Sequence, residues 1–388
     1  MKILQIHNYH QFRGGQEIMF ETISRTLTEK GHDVFALKRN NADVQGLRGK
    51  LHAFNEGNYS MSVKEEVSSI IQSKHPDIVH VHNVYTLISP SVLVACRRYN
   101  VPVVIRCADF RFISCPTGTH LKNGSICERC IGGREFWCAL KNCKGNVCES
   151  FAYALRTMIA RKYRFFKDNV TLYIPPSAFV RQRMIDVGFP QDRIIVIPNM
   201  VPVPETVKEN SSGKYIAYAG RISPEKGIDT LLTAAGRTGL PVRIAGSTSG
   251  NLEFDEMTPP NVSFVGFLDR DRLAGFYQKA RFSVVPSICF ETFGLVAAEA
   301  MSYGLPVIAS RIGALPEIVE DGVTGFLFTP GNSEELAGKM KLLWENPDLC
   351  RQMGKAAQEK VTREYGQDLY YRRLLETYRR AIEFEEAS

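Results

Sequence analysis

Short apolar runs alternate with longer stretches of helical period along most of the chain. Residues 2–6 read as a first strand. The loop Asn8-Tyr-His-Gln-Phe-Arg-Gly-Gly-Gln-Glu-Ile18 then enters a helix that ends near Gly31, and residues 33–37 form the next strand. A polar, Gly- and Asn-rich stretch covers 39–60. A helix over 62–74 leads to a strand in which Ile78, Val79 and Val81 are buried and His82 and Asn83 reach the C-terminal end. Helix 90–99 and strand 102–105 complete another step. Residues 115–148 show no period and form an insert. Helix 151–167, strand 170–174, helix 178–187 and strand 194–197 follow.

Residues 198–212, marked by Pro and Ser and then charged, read as a linker. A second series opens with a strand at Tyr215 that runs into Gly220-Arg-Ile-Ser-Pro-Glu-Lys-Gly227. Strands near 241–245, 262–265, 282–285 and 306–309 alternate with helices, and helices 333–345, 347–364 and 367–384 close the chain. Alternation of this kind predicts an α/β protein with parallel sheets flanked by helices. The expected domains are 1–200, with the insert, and 201–370.

Composition adds little to the fold and more to the chemistry. The 388 residues suffice for two or three domains, and 44% hydrophobic content is that of a globular protein. No apolar run reaches the ~20 residues of a membrane span. The N-terminus opens as a strand without a signal-peptide pattern, so a cytoplasmic location is the default expectation. The net charge of +7 is uneven: residues 1–200 hold 27 Lys/Arg against 16 Asp/Glu, the rest 21 against 25. A basic first half suits an anionic partner, such as a membrane surface or a lipid phosphate, or a solvated basic face. Helix 151–167 interleaves Arg and Lys with apolar residues. It reads either as an amphipathic membrane-surface helix or as a core-packed one.

Of ten cysteines, six lie between Cys115 and Cys148. In a reducing compartment this clustering favours metal over disulfide. Cys127-x2-Cys130 is a zinc knuckle, with Cys115 and Cys143 the completing pair and Cys138 and Cys148 in competition. An iron–sulfur cluster or idle thiols are the alternatives.

The stretch 286–309 reads as loop, helix and strand, with Glu291 before the helix, Gly294 at its start and Glu299 inside it. Free N–H groups at a helix start hold phosphate. With Arg221 and Lys226 nearby in the plan, two cations and a helix start can hold a diphosphate, while carboxylates accept bonds from sugar hydroxyls. That describes a nucleotide-sugar site. His82 fits a ligand at a strand end or a core histidine equally well.

Four stretches together, Gly220–Gly227, Glu291-Thr-Phe-Gly-Leu-Val-Ala-Ala-Glu299, Met301-Ser-Tyr-Gly-Leu-Pro-Val-Ile-Ala-Ser310 and Gly313-Ala-Leu-Pro-Glu-Ile-Val319, resemble the signature of glycosyltransferase family 4. His7-Asn-Tyr and Gly14-Gly-Gln-Glu17 are similar to it as well, and the insert resembles one in a subset of bacterial members. The resemblance implies a GT-B fold: two Rossmann-like domains with parallel sheets facing across a cleft, a last helix over 371–386 returning to the first domain, and sugar transfer with retention. It implies that Arg221 and Lys226 stabilise the departing diphosphate, that Glu291 holds donor-sugar hydroxyls and that Glu299 holds the ribose. Phe293, Gly294 and Leu295 would meet sugar and phosphates through their backbone, Gly15 would approach the donor phosphates, and Gly246, Val265 and Phe267 would lie near the base. His82, Asn83 and Asp109 are the acceptor-side candidates. No cofactor serves the chemistry; the donor is a UDP- or GDP-sugar and the acceptor a glycan or lipid-linked molecule of a bacterial surface polysaccharide. Ala108 stands where family members carry a histidine. A non-catalytic nucleotide- or glycan-binding subunit and a sugar-nucleotide epimerase are the competing expectations. A nucleic-acid partner is not expected.

Overall fold

The computed structural model describes residues 1–10, 14–204, 213–247 and 258–387. Most of the expected linker at 198–212 and part of the loop at 8–18 therefore lie outside the described residues. The chain divides into two compact units. Unit 1 comprises Met1–His120, Cys127–Ile197 and Tyr370–Ser388; unit 2 comprises Leu121–Ile126 and Pro198–Leu369.

Unit 1 opens with β1 (Lys2–Tyr9), α1 (Gly15–Glu29), β2 (Asp33–Asn40), α2 (Gly46–Asn58) and α3 (Met61–Lys74). Next come β3 (Ile78–Asn83), α4 (Ser91–Arg98) and β4 (Val103–Arg106). The stretch 39–60, read as polar and Gly- and Asn-rich, holds the helix α2, on which Ala53 is buried. The insert has local order of its own. A two-residue antiparallel pair, β5 (Leu121–Lys122) and β6 (Ser125–Ile126), precedes α5 (Phe136–Leu140) and α6 (Val147–Lys162).

Helix α6 begins four residues before the expected helix and stops short of 167. Arg164 takes a positive φ of 52° and separates it from α7 (Phe165–Asn169). Asn146 caps α6 by accepting from the Glu149 N–H. Strand β7 (Leu172–Ile174) and helix α8 (Ala178–Asp186) follow. The strand expected at 194–197 is reduced to one bridge, Tyr173 to Ile194.

The sheet of unit 1 is parallel, in the order β2-β1-β3-β4-β7. The order reverses between β1 and β3. Their register shifts between Ile6 and His7, so His7 pairs with Asn83. Ile3, Leu4, Ile6, Ile78, Val79 and Val81 are fully buried, as strands covered on both faces require.

Unit 2 contains β8 (Tyr215–Ala219), α9 (Ile228–Thr238), β9 (Val242–Ala245), β10 (Val262–Gly266), α10 (Arg270–Tyr277) and β11 (Ala280–Val285). It continues with α11 (Leu295–Ser302), β12 (Val307–Ser310), α12 (Leu315–Ile318), β13 (Gly325–Phe328), α13 (Ser333–Glu345) and α14 (Pro347–Glu364). Its parallel sheet runs β10-β9-β8-β11-β12-β13. Strand residues alternate between two cores: Tyr215, Ala217 and Ala219 pack with Ala297, Met301 and Ala357 on one face, while Ile216 and Tyr218 pack with Leu231, Leu336 and Met340 on the other.

The last helix, α15 (Gln367–Glu386), belongs to unit 1 from Tyr370 onward. Tyr370, Leu374, Tyr378 and Ala381 form its buried edge at helical spacing. Tyr378 bonds His80 Nδ1 at 2.6 Å and Tyr371 bonds His32 Nε2 at 2.9 Å.

Candidate functional site

In unit 2 the strand order reverses between β8 and β11, and the loops that leave these two strands carry Arg221, Lys226, Glu291, Phe293 and Gly294. Open parallel sheets place ligands at such a point. The loop after β8 turns through Pro224–Lys226 as a single 3-10 turn. Tyr218 donates to the Arg221 carbonyl at 2.7 Å and fixes the start of that turn. Gly227 ends it at φ 72°; a side chain there would put a Cβ 1.9 Å from the Pro286 carbonyl oxygen. This close approach brings the two loops together.

Lys226 Nζ consequently meets Glu291 Oε1 at 2.6 Å, and Ser287 Oγ donates to the same oxygen at 2.6 Å. Burial alone would raise the Glu291 carboxyl; Lys226, Ser287 and Arg221 outweigh it and hold the carboxyl below its ordinary value. Burial would likewise lower the Lys226 ammonium, and Glu291 more than offsets that. Arg221 is exposed and pairs with Glu225 at 3.1 Å. Two fixed cations thus stand at one end of the sheet.

Gly294 caps α11 with φ 100° and accepts from the Ala297 and Ala298 N–H groups. Phe293 turns its ring into the core against Tyr365, which leaves its backbone as the part a ligand could meet. Gly313, at φ 59°, would place a Cβ 2.5 Å from the Glu291 backbone; a glycine is needed for the Ala314 N–H to reach the Glu291 carbonyl at 2.9 Å. Gly246 donates to the Gly266 carbonyl at 2.8 Å, which places it beside the end of β10, where Val265 is partly exposed and Phe267 is 74% exposed.

Glu299 lies one helical turn inside α11, away from the cations. Burial pushes its carboxyl up to about 7, against the lowering effect of the Tyr277 hydroxyl and of Arg270. A folded value above the unfolded 4.5 means that the folded state binds the extra proton. Stability from Glu299 is complete below pH 4.5 and is lost as pH rises through 7. Glu299→Gln is therefore expected to stabilise the protein at pH 8 by up to about 3 kcal/mol and to be neutral at pH 5, measured by denaturant titration at the two pH values. Equal effects at both would show that Glu299 is not held protonated.

The acceptor-side candidates belong to unit 1. His82 is 3% exposed; its ring stacks on His80 at 4.0 Å and meets Phe20 and His7 edge to face. Asn83 donates to the Asn8 carbonyl at 2.7 Å and accepts from the Tyr85 N–H. The structure gives both a place inside the core in place of an open strand end. Asp109 accepts from Arg111 Nε at 2.8 Å and from Gln16 Nε2 at 3.1 Å. Burial would raise its carboxyl, but Arg111 and Gln16 bring it down to about 2.

Besides Arg111 and Gln16, two more residues beyond the expected set, His10 and Glu17, complete this cluster. His10 Nε2 contacts Arg111 at 2.9 Å, and His10 Nδ1 contacts Glu17 Oε1 at 2.6 Å. Glu17 also accepts from the Gly14 N–H at 2.9 Å, closing the start of α1. Gly15 is exposed one residue further on. The capping signal Gly14-x2-Glu17 is present in the sequence, whereas the Arg111 partner, 101 positions from His10, is not foreseeable locally.

A family model described as "Glycosyl transferase 4-like domain" matches residues 14–200, and one described as "Glycosyl transferases group 1" matches residues 203–360. The chain belongs to glycosyltransferase family 4. Its family 4 relatives include a D-inositol 3-phosphate glycosyltransferase of Kribbella flavida, 35% identical over 191 residues, which are 43% of this chain and 44% of the relative. Sulfoquinovosyl transferase SQD2 of Arabidopsis thaliana is 37% identical over 153 residues, 38% of this chain and 29% of the relative. The matches thus span under half the length of these two relatives. Among solved structures, sucrose-phosphate synthase of Thermosynechococcus elongatus has a TM-score of 0.73 at 19% identity over 98% of each chain. HepE of Anabaena in complex with UDP has a TM-score of 0.69 at 19% identity over 97% of this chain and 99% of that one. This glycosyltransferase therefore has the GT-B fold of two Rossmann-like domains.

The expected zinc site finds no support. Among the described residues no group of three or more His, Cys, Asp or Glu stands where it could hold a metal ion. The thiols are nonetheless crowded: burial pushes Cys130 up to about 12, and Cys115, Cys143 and Cys127 act in the same direction. Cys115 Sγ accepts from the His120 N–H at 3.4 Å, and the Cys127 N–H bonds the His120 carbonyl at 2.8 Å. Local backbone bonds of this type order the insert in the structure.

Proposed function

We propose that this family 4 glycosyltransferase moves a sugar, with retention of configuration, from a UDP- or GDP-sugar to a growing glycan or a lipid-linked acceptor of a bacterial surface polysaccharide. The observation that carries this is the Lys226–Glu291 pair beside Arg221 at the strand reversal of unit 2. Lys226 and Arg221 neutralise the diphosphate as its bond to the sugar breaks, a task that positioned cations perform without a metal. Glu291, ionised and oriented by Lys226 and Ser287, accepts hydroxyl donors of the sugar. The leaving phosphate oxygen takes the acceptor's proton as the new bond forms on the same face. Glu299 and the backbone of 293–295 hold ribose and phosphates, and Gly246, Val265 and Phe267 flank the base.

The donor class is also supported by HepE of Anabaena, whose structures hold UDP and UDP-glucose, and by TarM of S. aureus, whose structure holds UDP with a glycan. On the acceptor side, both ring nitrogens of His10 are taken, by Arg111 and Glu17, and this clasp holds Arg111 against Asp109, whose carboxylate can accept from an acceptor hydroxyl. Among the described residues no helix is long and apolar enough to cross a membrane.

The test is a melting panel with UDP, GDP, ADP and their sugars at millimolar concentration. A ligand at ~100 times its Kd adds about 2.7 kcal/mol, a rise of several degrees. A uridine or guanosine ligand should give that rise; a panel without any shift would overturn the donor assignment.

A further inference from the structure

The insert carries a face that neither candidate site uses. Large apolar side chains are exposed together there: Phe136 and Leu140 on α5, at 53% and 69%, and Val147, Phe151 and Met158 on α6, at 65%, 55% and 41%. Val147, Phe151 and Met158 are four and seven positions apart, which sets them along one stripe of the helix. Helix α5 packs against α6, so both apolar stretches belong to one small layer of unit 1.

The surroundings of that layer are strongly basic. Residues 121–167 hold ten Lys/Arg against three Asp/Glu, a balance of +7 that equals the formal net charge of the whole chain. Two of the three acids are already taken: Glu135 pairs with Arg161 at 2.6 Å and Glu128 pairs with Arg183. Lys141 and Lys144, between the two apolar stretches, and Lys162, one turn beyond Met158, are exposed.

Exposed phenylalanine and leucine need an apolar cover, and the positive charge that remains once Arg164 pairs with Asp168 at 2.9 Å and Arg156 is buried needs an anionic one. A second copy of the chain supplies the first and opposes the second, since it brings an equal positive charge. A bilayer with anionic headgroups supplies both. Apolar side chains enter the headgroup boundary, and each Lys or Arg near the surface contributes about 1 kcal/mol. We propose that the α5–α6 face docks the protein on an anionic lipid surface. Docking is read without turnover, so it stands or falls separately from the sugar-transfer assignment.

The experiment is co-sedimentation of the full chain with vesicles of phosphatidylcholine, alone or with about 30 mol % phosphatidylglycerol. Binding is expected to the anionic vesicles, at least ~10-fold weaker to the neutral ones, and reversed at high salt. A Phe136→Ser/Leu140→Ser/Phe151→Ser variant should bind at least ~10-fold more weakly, with unchanged circular dichroism and melting. A Lys141→Gln/Lys144→Gln/Lys162→Gln variant should lose the preference for anionic lipid, which keeps a test available should the first variant misfold. Three results would each overturn the proposal: no binding to anionic vesicles, both variants binding like the parent, or a concentration-dependent dimer abolished by the serine variant in protein that ignores vesicles. The last would assign the face to a second copy of the chain.

Discussion

Glu291→Gln is expected to lower kcat for sugar transfer by about 10²- to 10³-fold while the protein stays folded. The glutamine oxygen can still accept from Lys226 and Ser287, which now meet Glu291 Oε1 at 2.6 Å each, so the loops keep their geometry. What is lost is the charge. Lys226 is held charged against its burial mainly by this carboxylate, and without it the ammonium is weakened where the departing diphosphate needs it. The donor hydroxyls lose a charged acceptor in the same step. Both losses grow as charge develops on the leaving phosphate, so kcat should fall more than donor KM rises. Removing one charge of a partly buried pair costs stability too, and a fall of a few degrees in the melting temperature is expected. Release of nucleotide under saturating donor, with a thermal melt of the same preparation, checks both. Turnover within ~3-fold of the parent would remove Glu291 from the chemistry.

Acid is expected to unfold unit 1 well before unit 2. All eight histidines lie within residues 1–120, and none lies between Pro198 and Leu369. Three of them pack in one buried cluster: His7 stacked on Phe20, His82 on His80, and His80 bonded to Tyr378. Burial lowers His7 and His80 to about 3 and His82 well below its ordinary value, with Arg106 adding to each. Below pH 6.5 the unfolded chain takes up protons that the folded cluster refuses, so stability falls with pH. At pH 5 the penalty is about 2 kcal/mol for each of His7 and His80, roughly 4 kcal/mol together, with His82 adding to it, a large share of the whole stability of a domain.

Glu17, held near 2 by His10 in spite of its burial, adds a loss of the same sign below pH 4.5. In unit 2 the raised Glu299 works the other way. The two tryptophans, Trp137 and Trp344, lie one in each unit, so the variants Trp344→Phe and Trp137→Phe each report a single unit by fluorescence. The Trp137 signal should unfold near pH 5 and the Trp344 signal at lower pH. Coincident transitions would contradict this account.

The parallel sheets were legible because buried strands are short continuous apolar runs, and 215–219, 282–285 and 307–310 stand out as such. The donor loops were legible because their glycines, cations and glutamates lie close together within each motif. Other features depended on partners far apart in the chain. Nothing near His10 announces Arg111, and nothing near His82 says that His80 and Phe20 enclose it. Helix α2 was hidden because Gly46, Gly49 and Gly57, poor helix formers, lie within it and made the stretch read as a polar loop. In the insert, cysteine spacing suggested a metal, whereas the structure orders the segment through turns and hydrogen bonds around His120. The exposed apolar positions of α6 were noted in the sequence as one face of an amphipathic helix. Only the structure shows that Val147, Phe151 and Met158 are the uncovered ones.

The closing helix has a consequence for how the protein comes into being. The unit made first by the ribosome is completed last, because Tyr370, Leu374 and Tyr378 are part of its core and Tyr378 is the hydrogen-bond partner of His80. Until α15 leaves the exit tunnel, after all of unit 2 has been synthesised, the nascent unit 1 keeps an uncovered apolar surface and a buried histidine without its hydroxyl. A stop codon ahead of Tyr370 would therefore damage the opposite end of the polypeptide more than the segment it truncates.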